Sequence, residues 1–441
     1  RSGRQPAAQP SARRSHTIRF ALFGFNYRAG SPTEQASGPF HPNSNRIVPP
    51  QMPKTTLHRH WTRWVLLPLI LVGSHALAAP GLSANEQGEL LLRGVPFCGI
   101  GVNYYDAFVR ILEQSPQTNY AAGFRELAAR GIPFARFSAG GYWPVHWQLY
   151  QTNPAAHFAR LDTVIKSAER ENVGLIPSLF WNLSTVPDLM GEPCNRWGDP
   201  HSRTLAFMRR YTRELVTRYA QSPAIWAWEF GNEYNLAADL PNAATHRPPV
   251  VPHLGTPAQR TEADEVTHEN IRVAFREFAR EVRKYDPHRL ILSGNAFPRP
   301  SAWHQMRERS WQPDTPEQFA VMLAADNLSP INSLSVRAYE LTNDVGRLAQ
   351  AMTVARREKK PLFVGEFGVP GADTPEARAR FTLILSAMRT NQVPLSALWV
   401  FDYDYQANDW NVTATNARRW QLEAIQQANQ ELRRQRATSN P

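Results

Sequence analysis

The chain has 441 residues, of which 42% are hydrophobic and 11% aromatic, enough for one large domain or two to three average ones. Its formal net charge of +11 is unevenly distributed, because residues 1–78 hold ten Lys and Arg and one acid, Glu34, which leaves +2 for the remainder. Such a nearly neutral body does not favour binding to a phosphate backbone, so we expect no nucleic-acid partner.

A basic and then apolar stretch precedes the body of the chain. Lys54, Arg59 and Arg63 lead into the apolar run 64–73, which is followed by the small-x-small pattern Ala76-Leu77-Ala78. This order indicates a signal peptide over residues 52–78 and a secreted or periplasmic protein. The alternative is an uncleaved N-terminal anchor, although the apolar run is too short to span a bilayer comfortably. We expect no stable membrane insertion after cleavage.

Residues 1–51 are rich in Pro, Ser, Gly and Arg and show no packable pattern, so we expect disorder there. We interpret them as an upstream extension outside the native protein, which would begin at Met52. Residues 79–441 would then form the catalytic domain. In an oxidising compartment its two cysteines, Cys98 and Cys194, either form a disulfide or stay free, because the sequence does not show whether they meet.

Apolar runs and helical patterns alternate from residue 97 onward. Residues 89–94 resemble a short strand and turn that precede this alternation. The first four strands are predicted at 97–104, 132–138, 174–180 and within 224–235, with helices at about 118–130, 155–171, 204–219 and 263–285.

The second half repeats the rhythm. Strands are predicted at 290–293, 333–339, 361–366 and 395–403, with helices at about 316–325, 345–357, 374–389 and 413–434. Eight strand–helix pairs predict an α/β fold of the (β/α)8 TIM-barrel class. A doubly wound sheet is the alternative, but it would need a Gly-rich phosphate loop, and Gly99-Ile100-Gly101 lacks the third glycine.

Two of the connections that follow strands are unusually long, at about 234–262 and 295–315. Both would lie at the carboxyl end of the barrel, where the active sites of this fold form. Long ordered loops there are usually lids or walls of a binding site, and a tolerated surface insertion is the alternative.

Two strands of the predicted barrel end in a glutamate. Glu233 follows the apolar fourth strand, and Glu366 ends the seventh, so the two would face each other across the barrel mouth. Paired carboxylates there suit glycoside hydrolysis, in which one acts as general acid and the other as nucleophile. The alternative is that both acids are solvated residues at strand ends with no catalytic role. Glu229, four residues before Glu233, is assigned to hydrogen bonding inside the barrel.

These motifs together resemble the glycoside hydrolases of clan A, most closely the cellulase-like family 5 of endoglucanases and β-mannanases. The resemblance covers about residues 96–420 and rests on Gly231-Asn232-Glu233, Gly365-Glu366-Phe367-Gly368, Ala135-Arg136-Phe137 and Leu398-Trp399. Each motif is weak alone, whereas their order and spacing are specific.

The resemblance implies a role for each matching residue. Glu233 would be the acid/base and Glu366 the nucleophile, while Asn232 would bond the 2-hydroxyl of the sugar. Arg136 and Tyr339 would contact the nucleophile, and Trp399 would form the floor under the reacting sugar.

Two positions depart from the family pattern. The sixth strand has Arg337-Ala338-Tyr339 where His-x-Tyr is usual, and the third ends in Phe180-Trp181-Asn182 where a histidine is usual. Neither departure removes the acid pair, but both leave the substrate open, because these positions line the reacting subsite. Trp181 would add a stacking surface.

Many aromatic residues fall in the predicted loops at the carboxyl ends of the strands. They are Tyr104, Tyr105, Trp143, Trp147, Trp181, Trp197, Tyr234, Trp303, Trp311, Tyr403, Tyr405 and Trp410. Each could be ordinary packing, but as a set they favour a carbohydrate cleft, in which we include Trp143, Trp181 and Tyr234 as binding residues.

The sequence therefore predicts a monomeric, retaining glycoside hydrolase for β-1,4-linked polysaccharide or oligosaccharide, with mannan slightly favoured over glucan. No metal-binding or phosphate-loop motif is present, so we expect neither metal nor cofactor. Transglycosylation by the same acids and a non-catalytic carbohydrate-binding barrel are the alternatives.

Overall fold

The computed structural model describes residues 80–114, 119–339 and 341–439, so the predicted extension and signal peptide lie outside the described residues. A small antiparallel sheet comes first, with β1 (Leu82–Ala84), β2 (Leu90–Leu92) and β3 (Val95–Pro96). The barrel strands are β4 (Gly99–Asn103), β5 (Phe134–Ser138), β6 (Gly174–Phe180), β7 (Ala227–Gly231), β8 (Leu290–Leu292), β9 (Leu334–Ala338), β10 (Leu362–Phe367) and β11 (Leu395–Leu398).

Helices alternate with the barrel strands and confirm the predicted (β/α)8 fold. They are α1 (Val109–Leu112), α2 (Tyr120–Ala129), α3 (Gln148–Thr152), α4 (Pro154–Arg170), α5 (Thr185–Met190), α6 (Arg203–Tyr219), α7 (His268–Tyr285), α8 (Ala302–Glu308), α9 (Pro316–Ala325), α10 (Leu341–Glu358), α11 (Pro375–Thr390) and α12 (Trp420–Ser439). Polar side chains determine where several of these helices begin. The side chains of Ser202, Thr267 and Thr374 each accept a hydrogen bond from a backbone N–H of the first turn.

Every residue of the barrel strands is buried, as expected for a parallel sheet covered by helices outside and side chains inside. Parallel pairing runs from β8 through β7, β6, β5, β4, β11 and β10 to β9. Side chains bridge the remaining seam between β8 and β9: the Ile291 N–H donates to Asn332 Oδ1 at 2.8 Å, and Ser333 Oγ donates to the Ile291 carbonyl at 2.9 Å.

The small sheet covers the amino end of the barrel. The Leu82 N–H donates to the Trp226 carbonyl at 2.7 Å. Leu82 and Leu90 pack in one buried cluster with Phe134 and Phe363, which lie near the starts of their strands. With the amino end covered, the carboxyl end is where a site can open.

Cys98 and Cys194 are both free, so the disulfide alternative is not realised. Among the helices of the described ranges, none combines the length and apolar character needed to cross a bilayer.

Candidate active site

Glu233 lies two residues beyond the end of β7, the fourth barrel strand. Its backbone is left-handed, with φ 55° and ψ 29°, and its N–H donates to the Gly294 carbonyl at 2.9 Å. A non-glycine residue rarely adopts this conformation, and such strained residues concentrate at functional sites. Its side chain is 26% exposed, so the carboxyl group is partly shielded yet reachable from solvent.

Glu366 lies on β10, where the pairing register with β9 shifts between Val364 and Glu366. Such a bulge re-aims the side chain that follows it. The carboxylate is buried and held at both oxygens: Arg136 Nη1 donates to Oε1 at 2.9 Å, and the Tyr339 hydroxyl donates to Oε2 at 2.6 Å. Burial and the charge of Glu366 raise the pKa of Tyr339 well above its usual range, so the phenol stays a donor.

Arg136, on β5, is fully buried and connects several groups of the site. Its Nε donates to Glu229 at 2.5 Å, and its Nη2 donates to Asn232 Oδ1 at 2.8 Å. Burial lowers the pKa of this guanidinium, but the charges of Glu229 and Glu366 outweigh that effect and raise it. Glu229 thus lies inside the barrel as predicted, and its partner is Arg136.

Arg337, on β9, occupies the first position that departs from the family pattern. Its Nη2 donates to Asn232 Oδ1 at 2.8 Å and to the Gly294 carbonyl at 2.7 Å. Its Nε lies 3.3 Å from Glu366 Oε1 and 4.0 Å from Glu233 Oε1. In the sequence this arginine is recognisable only as a departure from the family pattern. A charged residue within the predicted buried strand 333–339 was the signal that could have identified it as part of the site.

The two Arg337 distances also limit how far apart the acids are. The separation of the two Oε1 atoms cannot exceed the sum of those distances, so both carboxyl groups lie at the same guanidinium. The two acids therefore share one compact site.

Glu233 has the pKa of a general acid. Burial, and then the negative charge of Glu366, raise the pKa of its carboxyl from 4.5 to about 7, against the opposing effect of Arg337, Arg136 and Arg299. The group therefore holds its proton at mildly acidic pH, whereas both oxygens of Glu366 accept hydrogen bonds from Arg136 and Tyr339.

An aromatic cluster lies beside the acids. Its buried members are Tyr105, Val109, Trp181, Trp399, Val400 and Tyr403, and Tyr142, Tyr339 and Trp410 pack against it. Trp181 stacks on Trp399 with centroids 6.0 Å apart, and the guanidinium of Arg136 lies 4.1 Å from the centre of the Trp181 ring. Trp181, the second departure, therefore joins Arg136 to the aromatic cluster.

Other predicted binding residues lie farther back. Trp143 packs edge-on against Tyr142 at 5.1 Å, at the rim of this cluster. Tyr234 is buried in the main core, where its hydroxyl donates to the Phe180 carbonyl at 2.7 Å. Trp147 and Trp197, expected among the loop aromatics, also belong to that core. The predicted aromatic set thus divides between the cluster beside the acids, the packing behind it and exposed positions such as Trp311 and Tyr405.

The two long loops are ordered by buried polar contacts. Arg260 forms ion pairs with Asp188 at 2.6 Å and Asp264 at 3.3 Å, with side chains at most 6% exposed. Arg299 donates to the Leu236 carbonyl at 2.7 Å and so joins the two loops near Glu233. Arg299 therefore brings part of both loops next to Glu233. Within the described part of the chain, no group of three or more His, Cys, Asp or Glu is arranged to hold a metal ion.

A family model described as Cellulase (glycosyl hydrolase family 5) matches residues 99–404, more than half of the chain. Two curated relatives are probable mannan endo-1,4-beta-mannosidases. The C form from Aspergillus terreus is 29% identical over 139 residues, and the A form from Aspergillus clavatus is 28% identical over 175 residues. These alignments cover 30% and 36% of this chain and 30% and 46% of the relatives, so less than half of each relative is spanned.

Solved structures resemble the fold over most of the chain. The endo-1,4-beta-mannanase from Rhizomucor miehei aligns with a TM-score of 0.56 at 15% identity, covering 78% of this chain and 99% of that one. The exo-beta-1,4-mannosidase Op5Man5 from Opitutaceae bacterium strain TAV5 aligns with a TM-score of 0.53 at 18% identity, covering 79% and 63%.

Proposed function

The chain belongs to glycosyl hydrolase family 5, and we propose that it is an exported, retaining glycoside hydrolase that cleaves β-1,4-linked polysaccharide or oligosaccharide, with mannan favoured over glucan. One observation carries the proposal. Glu233, with a pKa of about 7, and Glu366, held by Arg136 and Tyr339, both have an oxygen within 4.0 Å of Arg337 Nε. This is a proton donor and an anionic nucleophile in one site.

In the first step an oxygen of Glu366 attacks the anomeric carbon and the glycosidic C–O bond breaks. Glu233 donates its proton to the leaving oxygen, and the sugar is held as an ester of Glu366. The Tyr339 hydroxyl and the Arg136 guanidinium keep the attacking carboxylate oriented.

In the second step Glu233 acts as a base. The charge of Glu366 is one cause of the raised pKa of Glu233, and ester formation removes that charge. The pKa of Glu233 therefore falls in the intermediate, so that its carboxylate is present to take a proton from water. The water oxygen then attacks the anomeric carbon and releases Glu366.

Asn232 is suited to hold the 2-hydroxyl of the reacting sugar. Its Oδ1 accepts from both Arg136 and Arg337 at 2.8 Å, so the amide orientation is fixed. Among the described residues no group accepts a hydrogen bond from its Nδ2, which leaves that donor for the substrate. Such a contact strengthens as the transition state forms.

The preference for mannan is supported by the curated relatives, all of which are named as mannan endo-1,4-beta-mannosidases in the alignments above. The aromatic cluster with Trp181 and Trp399 supports a pyranose substrate, because sugar rings stack on aromatic faces. The proposal that the protein is exported is based on the signal-peptide pattern of residues 52–78. We also propose that it acts as a monomer. Sequencing the N-terminus of the secreted protein tests the cleavage site.

A substrate panel tests the activity. Purified protein is incubated with mannan, glucan, xylan and galactan, alongside Glu366→Ala, and reducing ends and transfer products are measured. We expect mannan hydrolysis that Glu366→Ala abolishes. Binding without turnover would indicate a non-catalytic barrel, and longer oligosaccharides as the main products would indicate a transglycosylase. Turnover retained in Glu366→Ala would remove the proposed nucleophile.

A further inference from the structure

Arg337 lies near the end of β9, at a position where family 5 members usually carry a histidine. We propose that Arg337 is a positioning residue with two separable effects: its fork orients Asn232 toward the sugar 2-hydroxyl, and its charge balances the pair Glu233 and Glu366. The inference rests on the proposed function, because it assigns a role within that same site.

The orienting effect follows from the fork geometry of the guanidinium. Nη2 donates both to Asn232 Oδ1 at 2.8 Å and to the Gly294 carbonyl at 2.7 Å, and Gly294 also accepts from the N–H of Glu233. One nitrogen therefore bonds both the amide oxygen of Asn232 and the Gly294 carbonyl, which also holds the backbone of Glu233. A histidine has only two ring nitrogens on a shorter stem and cannot supply this set of donors.

The charge effect follows from the position of Nε. This atom is buried and has no hydrogen-bond partner of good geometry among the described residues, yet Glu366 Oε1 is 3.3 Å away and Glu233 Oε1 is 4.0 Å away. The guanidinium therefore acts on both carboxylates at Nε through its positive charge and not through a hydrogen bond. A guanidinium keeps this charge at every pH of interest, whereas a histidine loses its charge near neutrality.

The backbone leaves room for this side chain. Gly365 lies beside it on β10, and a Cβ added there would come within 2.2 Å of Arg337 Nη1. The glycine before the proposed nucleophile therefore serves the close approach of the arginine as well as the bulge that aims Glu366.

The charged and titratable groups around the pair are few. Glu233 is influenced by Glu366 from β10, Arg337 from β9, Arg136 from β5 and Arg299 from the loop after β8. Glu366 is contacted by Arg136, Arg337 and Tyr339. Removing the charge of Arg337 removes the largest of the three effects that lower the pKa of Glu233, so Glu233 should hold its proton to higher pH.

Arg337→Met and Arg337→Lys separate the two effects. The rate is measured against pH on an activated aryl β-glycoside of the sugar that the substrate panel identifies, and on its 2-deoxy counterpart. Arg337→Met should move the alkaline limb of kcat/KM up by about one pH unit or more and reduce the preference for the 2-hydroxyl substrate at least about tenfold. Arg337→Lys should keep the limb within about half a unit but lose the same preference.

A second readout does not need turnover. The carboxyl carbon of Glu233 is titrated by 13C NMR in wild type and both variants, with Glu233→Gln used to assign the signal and circular dichroism used to check folding. We expect the midpoint to rise in Arg337→Met and to stay near the wild-type value in Arg337→Lys. Unchanged midpoints together with an unchanged 2-hydroxyl preference would overturn the inference.

The two proposals fail in different ways. A wild-type protein that hydrolyses none of the polysaccharides overturns the proposed function, while the NMR titration still decides the charge effect. An active wild type whose Arg337 variants keep both the pH profile and the 2-hydroxyl preference overturns the role of Arg337 alone.

Discussion

Replacing Glu233 by Gln should stabilise the protein, and more so at alkaline pH. Its pKa of about 7 in the folded protein lies above the usual 4.5. At a pH where the group is ionised in the unfolded chain, this difference lowers the free energy of unfolding. The penalty is absent below pH 4.5, grows as the pH rises toward 7 and is then constant. Glutamine keeps the shape of the protonated acid and never ionises, so the variant escapes this penalty.

The magnitude follows from the gap between the two pKa values. One pH unit corresponds to 1.36 kcal/mol, so the wild type should lose about 1 kcal/mol at pH 5 and about 3 kcal/mol at pH 8. The stability advantage of Glu233→Gln should therefore grow by about 2 kcal/mol between these pH values. Hydrolysis should fall by about a hundredfold or more, because the general acid is gone.

Urea unfolding followed by circular dichroism at pH 5 and pH 8 measures this difference. Glu229→Gln is the matched control, because Glu229 is buried and forms an ion pair with Arg136 at 2.5 Å. Removing one partner of such a pair should cost about 3 kcal/mol at both pH values. If Glu233→Gln had the same stability relative to wild type at pH 5 and pH 8, the reasoning about Glu233 would be wrong.

Three further outcomes are expected. The rate constant kcat/KM should fall as the pH rises through about 7, because Glu233 must be protonated to donate, and a pH profile with no alkaline limb near 7 would contradict this. Tyr339→Phe, which removes the 2.6 Å bond to Glu366, should lower kcat by about ten- to a hundredfold in steady-state kinetics with little change in thermal stability, and unchanged kcat would refute it. Cys98 and Cys194 should both titrate as free thiols in denaturant, and a reductant should leave the melting temperature unchanged; a count of zero thiols would show a disulfide.

Much of the barrel could be predicted from the sequence, because local patterns decide buried strands and capped helices. The third strand, 174–180, and the helix 316–325 have the predicted bounds, since the strand is an apolar run that begins at a glycine and the helix follows a capping threonine. The helix predicted from 263 begins at His268 instead, because the side chain of Thr267 caps its first turn.

Elements whose partners are distant in sequence were harder to predict. The strand β1 was missed, because its three residues are held by the Trp226 carbonyl and the barrel end. The eighth strand was expected to reach Tyr403 but ends at Leu398. The side chain of Trp399 then bonds Gln406, within the loop that follows. The Phe401 N–H donates to the distant Asn103 carbonyl at 2.9 Å, and non-local contacts of this kind override local preference.

In the site, too, some residues could be predicted from local sequence and others could not. Glu233, Glu366 and Asn232 could be proposed from strand ends, because barrel topology brings those ends together. Tyr234 was grouped with the binding residues, but its hydroxyl contacts the Phe180 carbonyl in the core, which argues for a positioning role behind Glu233. The part played by Arg337 depends on β7, β9 and β10 meeting, and no local pattern contains that information.

The central claim is that Glu366 forms a covalent bond to the sugar while Glu233 handles the proton. Incubation with an activated 2-deoxy-2-fluoro β-glycoside, followed by intact mass measurement and peptide mapping, tests it most directly. We expect one added sugar per chain, attached to Glu366 and slowly released by water. Active enzyme that gains no label and yields a product of inverted anomeric configuration, or a label on any other residue, would contradict it.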